Sequence, residues 1–172
     1  MPRRTGTAAL AALAAVLALA AAAGLLLPRR AVVTVDAADG RRVVATTLPA
    51  SGRFELRYRH SYYGVEAVEW FQAASDGGFR LVAVGSPSQA VLDYYGLAGR
   101  VRRDGRWLRL ELRQPQRFRR LPLVASGVGR RTLVVGGAAT VLTSPSGPPA
   151  HLVLGVQRRP WLVDRLLPAG SR

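Results

Sequence analysis

The sequence contains no cysteine, lysine, isoleucine or asparagine. Without cysteine there is no disulfide, no thiolate metal ligand, no thiol nucleophile and no lipid-anchoring cysteine. Without asparagine there is no N-glycosylation acceptor. Lysine, isoleucine and asparagine share AT-rich codons, so their joint loss points to a GC-rich genome rather than to a physical demand. The electrostatic consequence is that all 25 basic residues are arginine, against 10 acidic ones, for a formal net charge of +15. Histidine is scarce as well. His60 and His151 stand far apart in the chain, too few for a metal centre, and neither a metal nor a cofactor is expected. Phosphate loops are missing too: "GVGRR" and "VVGGAA" lack the required glycine spacing and open no helix. No helix-period segment is long enough to cover a parallel sheet, which argues against an α/β enzyme fold.

Length and texture define what is there. The 172 residues suit one globular domain plus a short accessory segment. Residues 8–27, "AALAALAAVLALAAAAGLLL", run for 20 apolar positions without a charge. A helix of that length reaches about 30 Å, the thickness of a hydrocarbon core. This predicts a single-pass cell-membrane protein with its main domain extracytoplasmic; secretion after signal cleavage is the alternative. Arg3 and Arg4 before the span and Arg29 and Arg30 after it give little orientation by charge.

Beyond Pro28 the chain changes character. Short runs rich in valine, leucine and aromatics are separated by turn signals every 8 to 12 residues. Asp39-Gly40, Asp104-Gly105 and Gly136-Gly137 are the clearest of these. In "GRFELRYRHS", Phe54, Leu56, Tyr58 and His60 share one parity, and Glu55, Arg57, Arg59 and Ser61 share the other, as in a strand with one buried face. "QAVLDYY" reads as one more strand in the series. The expected fold is all-β, a mainly antiparallel β-sandwich or open barrel, preceded by one N-terminal hydrophobic helix. The expected divisions are 1–28 as anchor or export signal, 29–157 as the β-rich domain, and 158–172 as a tail. In that tail Pro160 opens a short amphipathic helix bearing Trp161, Leu162, Leu166 and Leu167.

Charge is uneven. Nine arginines fall between Arg100 and Arg120 against Asp104 and Glu111. In "RWLRLELR" the alternation turns Leu108, Leu110 and Leu112 inward and leaves Trp107 beside arginines on the outer face. Trp107, Arg109, Arg113, Arg117, Arg119 and Arg120 are therefore the candidate binding surface. An exported setting excludes nucleic acid and favours an anionic lipid surface or an acidic partner.

The candidate site lies in "RYRHSYYGVEAVEWF", residues 57–71. If "YYG" folds two strands into a hairpin, His60 and Glu69 can meet, the carboxylate orienting the imidazole. Ser61 points away from His60 within one strand, and no nucleophile elbow or third triad member is present. The pair serves either structure or function, with no catalytic residue assigned.

A strand ending in His60-Ser61, Glu69 a few residues later, "GGFRLV" and a "DGRWLRL"-like strand together resemble the DUF1850 family of small uncharacterised bacterial exported proteins. The resemblance covers about residues 53–156. It implies an accessory role beside a binding-protein-dependent carboxylate transporter of the TRAP type, with a membrane protein as partner. The expected function is thus a non-enzymatic, membrane-anchored accessory or binding module. The alternative is a small exported hydrolase or lyase using His60 and Glu69.

Overall fold

The Asp39-Gly40, Asp104-Gly105 and Gly136-Gly137 pairs each close a hairpin. They join β1 (Arg29–Ala37) to β2 (Arg42–Thr47), β6 (Gly99–Asp104) to β7 (Trp107–Phe118), and β9 (Thr132–Val135) to β10 (Ala138–Val141). At Gly136 and Gly137 φ is 57° and 88°, a left-handed pair that the two-residue turn requires and that side chains resist. The computed structural model describes residues 13–16, 29–142 and 147–160. The remaining strands are β3 (Arg53–Arg59), β4 (Glu66–Ala73), β5 (Phe79–Ser86), β8 (Arg120–Ala125) and β11 (Ala150–Pro160).

These strands form two sheets, ordered β2-β1-β11-β8 and β10-β9-β3-β4-β5-β7-β6. The β3–β4, β4–β5, β5–β7 and β8–β11 pairings are antiparallel, like the hairpins. The sheets keep open edges and do not close into a barrel. Between β5 and β7 the register jumps from Leu81↔Gln116 to Ala83↔Glu111. Pro115, which has no N–H to donate, falls in the skipped stretch.

Period-two burial places the core within Ala31–Arg158, which forms one compact unit. Val33 and Val35 of β1, Leu123 of β8 and Leu152 and Leu154 of β11 join Phe54, Leu56, Phe71, Phe79 and Leu133 of the larger sheet in one cluster. Each such side chain contributes about 2 kcal/mol on leaving water. Leu108 and Leu110 face this core as their parity demands, and Leu112 packs half-buried at its margin.

One run changes class. "QAVLDYY" is not a strand but helix α1 (Gln89–Tyr94). The Gln89 side-chain amide donates to the Asp93 carboxylate at 2.8 Å, one turn on. Val91 and Leu92 turn inward, and Gly96, at φ 61°, follows as the chain leaves the helix. A short apolar run has no period that separates helix from strand.

The N-terminal reading is corrected as well. Of residues 8–27, only 13–16 are described; they form a helical turn with Leu13 and Val16 exposed. Among the described residues no helix is long and apolar enough to cross a membrane. That finding overturns the single-pass anchor, the cell-membrane localisation and the anchored accessory or binding module built on them. At the other end β11 continues through Arg158 and Arg159 to Pro160. Trp161, Leu162, Leu166 and Leu167 lie outside the described residues.

Candidate functional site

The β3–β4 hairpin turns tightly at its tip. The His60 N–H donates to the Val65 carbonyl, and the Gly64 N–H donates back to the His60 carbonyl, both at 2.7 Å. This closure draws His60 into the protein, where it is 6% exposed. Ser61, next in the turn, is exposed. Rings surround the imidazole: Tyr94 edge-on at 4.9 Å, Tyr63 at 5.2 Å and Tyr58 at 6.5 Å between centroids. The Tyr63 N–H points toward Nδ1 at 3.5 Å, the outer limit of a hydrogen bond, and leaves the ring free to accept a proton. Loss of water lowers the His60 pKa and keeps the ring neutral.

His60 and Glu69 do not meet in a hydrogen bond. In the hairpin register Glu69 faces Leu56, two pairs inside Tyr58↔Ala67 and three inside Arg59↔Glu66, while His60 bonds to Val65. Four residues of strand separate their levels, about 13 Å. Tyr58 stands between. Its hydroxyl bonds to the Tyr95 hydroxyl, which donates to Glu69 Oε1 at 2.7 Å, and the Tyr58 oxygen itself stands 3.3 Å from the same carboxylate oxygen. The Arg131 guanidinium covers the Tyr58 ring at 4.6 Å from its centroid.

The elements explain this convergence. Tyr58 and Glu69 come from β3 and β4, Tyr95 follows α1, and Arg131 precedes β9, which pairs with β3 at Arg57↔Thr132. Ser86, wholly buried, donates to the Glu66 carbonyl at 2.8 Å and accepts the Ser88 N–H at 3.2 Å. It thereby ties the segment entering α1 to the edge of β4. Tyr94, Tyr95 and Arg131 were invisible to sequence reasoning. The tandem tyrosines after an apolar run were the available signal, and they carry meaning only once α1 is recognised as a helix.

Burial raises the Glu69 carboxyl above its ordinary 4.5, opposed by the tyrosine hydrogen bonds and Arg131. Burial, then the Glu69 charge, raises both tyrosines. The folded state therefore holds a proton on Glu69 that the unfolded chain has already lost. Stability from this group is complete below pH 4.5 and is lost as pH rises through the folded value. Carbon-13 titration of the side-chain carboxyls is expected to place the Glu69 midpoint above 4.5. Glu69→Gln, whose carbonyl still accepts from the tyrosine hydroxyls, should remove that slope and raise stability at neutral pH. An ordinary midpoint, or a Glu69→Gln profile parallel to the parent, contradicts the assignment.

The surface candidates separate. Trp107 and Arg109 line an open groove of about 840 Å³ on the outer face of the larger sheet. Arg113 borders a smaller hollow of about 420 Å³ beside α1. Arg117 pairs with Asp76, and Arg119 and Arg120 are exposed where β7 passes to β8. His151 pairs with Val124 in the other sheet and is exposed. Among the described residues no three ligating side chains gather around a metal position.

Comparison with family models, curated proteins and solved structures finds no match for this chain. The resemblance drawn from His60, Ser61, Glu69, "GGFRLV" and the "DGRWLRL"-like strand therefore rests on those pieces of sequence alone, and the chemistry must be argued from the geometry.

Proposed function

We propose that this chain is a small acid–base enzyme of the hydrolase or lyase class, built on two sheets that face each other as a sandwich. The observation that carries the reading is the buried Glu69 carboxyl, bonded at one oxygen by the hydroxyls of Tyr58 and Tyr95. A tyrosine with a raised pKa keeps its proton at working pH and yields it only to a strongly basic developing oxyanion. Glu69 holds that hydroxyl in place through the hydrogen bond, and solvent returns the proton after the product leaves, as it takes the proton off His60. His60, kept neutral and 6.5 Å from the Tyr58 ring centre, is the base. In an elimination His60 takes a carbon-bound proton, the carbon–oxygen bond breaks, and Tyr58 protonates the leaving oxygen. In a hydrolysis His60 takes the proton from the attacking water instead. Buried groups with pKa values displaced in opposite directions suit such a division of roles.

Assay of the full chain against a panel of aryl esters and of substrates for β-elimination tests this. Turnover is expected for one class. Tyr58→Phe should lower kcat by about 100-fold and His60→Gln by a similar factor, with the unfolding midpoint of Tyr58→Phe close to the parent. Turnover unchanged in Tyr58→Phe, or absent across both classes, overturns the proposal.

A further inference from the structure

The groove on the outer face of the larger sheet includes Tyr58 in its lining, but what it can bind does not depend on the acid–base reading. Its floor begins with a missing side chain. A Cβ at Gly85 would stand 2.6 Å from the Trp70 ring, so the indole lies over bare backbone. The Arg109 guanidinium then stacks on that indole, 4.3 Å from its centroid. Within this layer the Arg109 Nε is buried and has no hydrogen-bond partner. A buried donor left unpaired costs about 1 to 3 kcal/mol, a cost that an acceptor entering the groove relieves.

Charge points the same way. Five arginines and three carboxylates line the groove. Glu55 is held by Arg57 at 2.7 Å and Glu66 by Arg106 at 3.0 Å. Arg59 is fixed through Nε to the Gly64 carbonyl at 2.7 Å, and Arg109 rests on Trp70. Neither of these two, nor Arg130, is paired with a carboxylate among the described residues, and Asp104 is the one acid on the other side. Arg130 is also the only non-glycine described residue in the left-handed region, at φ 48°. Its N–H donates to the Ser126 carbonyl at 3.0 Å. Strained backbone of this kind collects at binding sites, where it fixes the direction of a side chain.

The three cations form two stations: Arg59, at the end of β3, and Arg130, just before β9, lie side by side where the Arg59 N–H donates to the Gly129 carbonyl at 2.7 Å, while Arg109 lies in β7, three strands away from β3. Charge at two separated stations suits an extended ligand with anionic groups along its length better than one dense polyanionic head. Planar guanidinium forks match carboxylates, and the half-buried Trp107 offers a ring face to the C–H side of a sugar. We infer that the groove binds an oligomer of acidic sugars, carboxylates on Arg59, Arg109 and Arg130 and one sugar ring against Trp107.

Tryptophan fluorescence and calorimetry on the full chain with trigalacturonate test this. Saturable binding is expected, weakening as salt rises, with neutral maltotriose bound at least about 10-fold more weakly. The double change Arg59→Gln and Arg130→Gln should weaken trigalacturonate by about 10-fold or more, as should Trp107→Ala. Arg119→Gln, on exposed surface outside the groove, should leave the affinity unchanged. A sulfated hexasaccharide that binds through the same arginines also supports the assignment and would place sulfate among the accepted anions. The inference is overturned by equal affinity for maltotriose, by indifference to the double change, by tighter binding of a short single-stranded DNA, or by no saturation at millimolar sugar.

Discussion

Replacing Phe79 by alanine should cost about 3 to 5 kcal/mol of folding stability, the largest single effect expected in this chain. Phe79 is fully buried and touches three other rings. Phe54 and Phe71 meet it edge-on at 5.7 and 5.5 Å, and Phe118 stacks on it at 5.7 Å. Phe54 and Phe71 stack on each other at 5.2 Å, so truncation opens a hole between rings already packed on their other faces. Such rings cannot collapse inward without breaking their remaining contacts. Total stability in domains of this size is about 5 to 15 kcal/mol, so the loss removes a large share. Urea unfolding followed by circular dichroism measures it. A cost below about 1 kcal/mol would mean that the four rings do not form one packed unit.

Gly99→Ala should cost about 3 kcal/mol and release β6 from the sheet. A Cβ there would lie 2.2 Å from the Glu111 carbonyl oxygen and 2.9 Å from its carbonyl carbon. Those are backbone atoms of β7 and have no rotamer by which to move away. Gly99 opens β6, opposite Leu112, so the clash falls where the pairing begins. Amide exchange should quicken selectively in β6 while protection across β3, β4 and β5 persists. Uniform loss of protection, or none, would show that β6 is not an independently detachable edge.

Much of the fold could be read from local chemistry. Asp-Gly and Gly-Gly turns set three hairpins, and the alternation at Phe54, Leu56 and Tyr58 marked a buried face correctly. Those signals are local, because a turn or a parity depends on neighbours in the chain. Helix α1 escaped because its six residues are too few to show a period. The site was less legible for a deeper reason. Glu69 and His60 were noticed, but what surrounds Glu69 arrives from 26 residues away at Tyr95 and from Arg131 next to β9. No spacing rule links positions that only the β3–β9 pairing and the packing of α1 bring together. The groove was half seen: Trp107 and Arg109 were named together, but Gly85 and Trp70 matter only when three strands lie side by side.

An outermost strand offers unpaired backbone groups to any passing strand, and β6 is such an edge. It carries Arg100, Arg102 and Arg103, all exposed. A second copy approaching edge to edge would bring guanidinium against guanidinium, a common guard against runaway strand pairing. At the opposite end of the sheet, β10 is only four residues long, which offers little template. Because every basic side chain in this protein is arginine, the guard on β6 is built of planar guanidinium groups. Salt screens repulsion between exposed charges, so any edge-to-edge association of this sheet should rise with ionic strength.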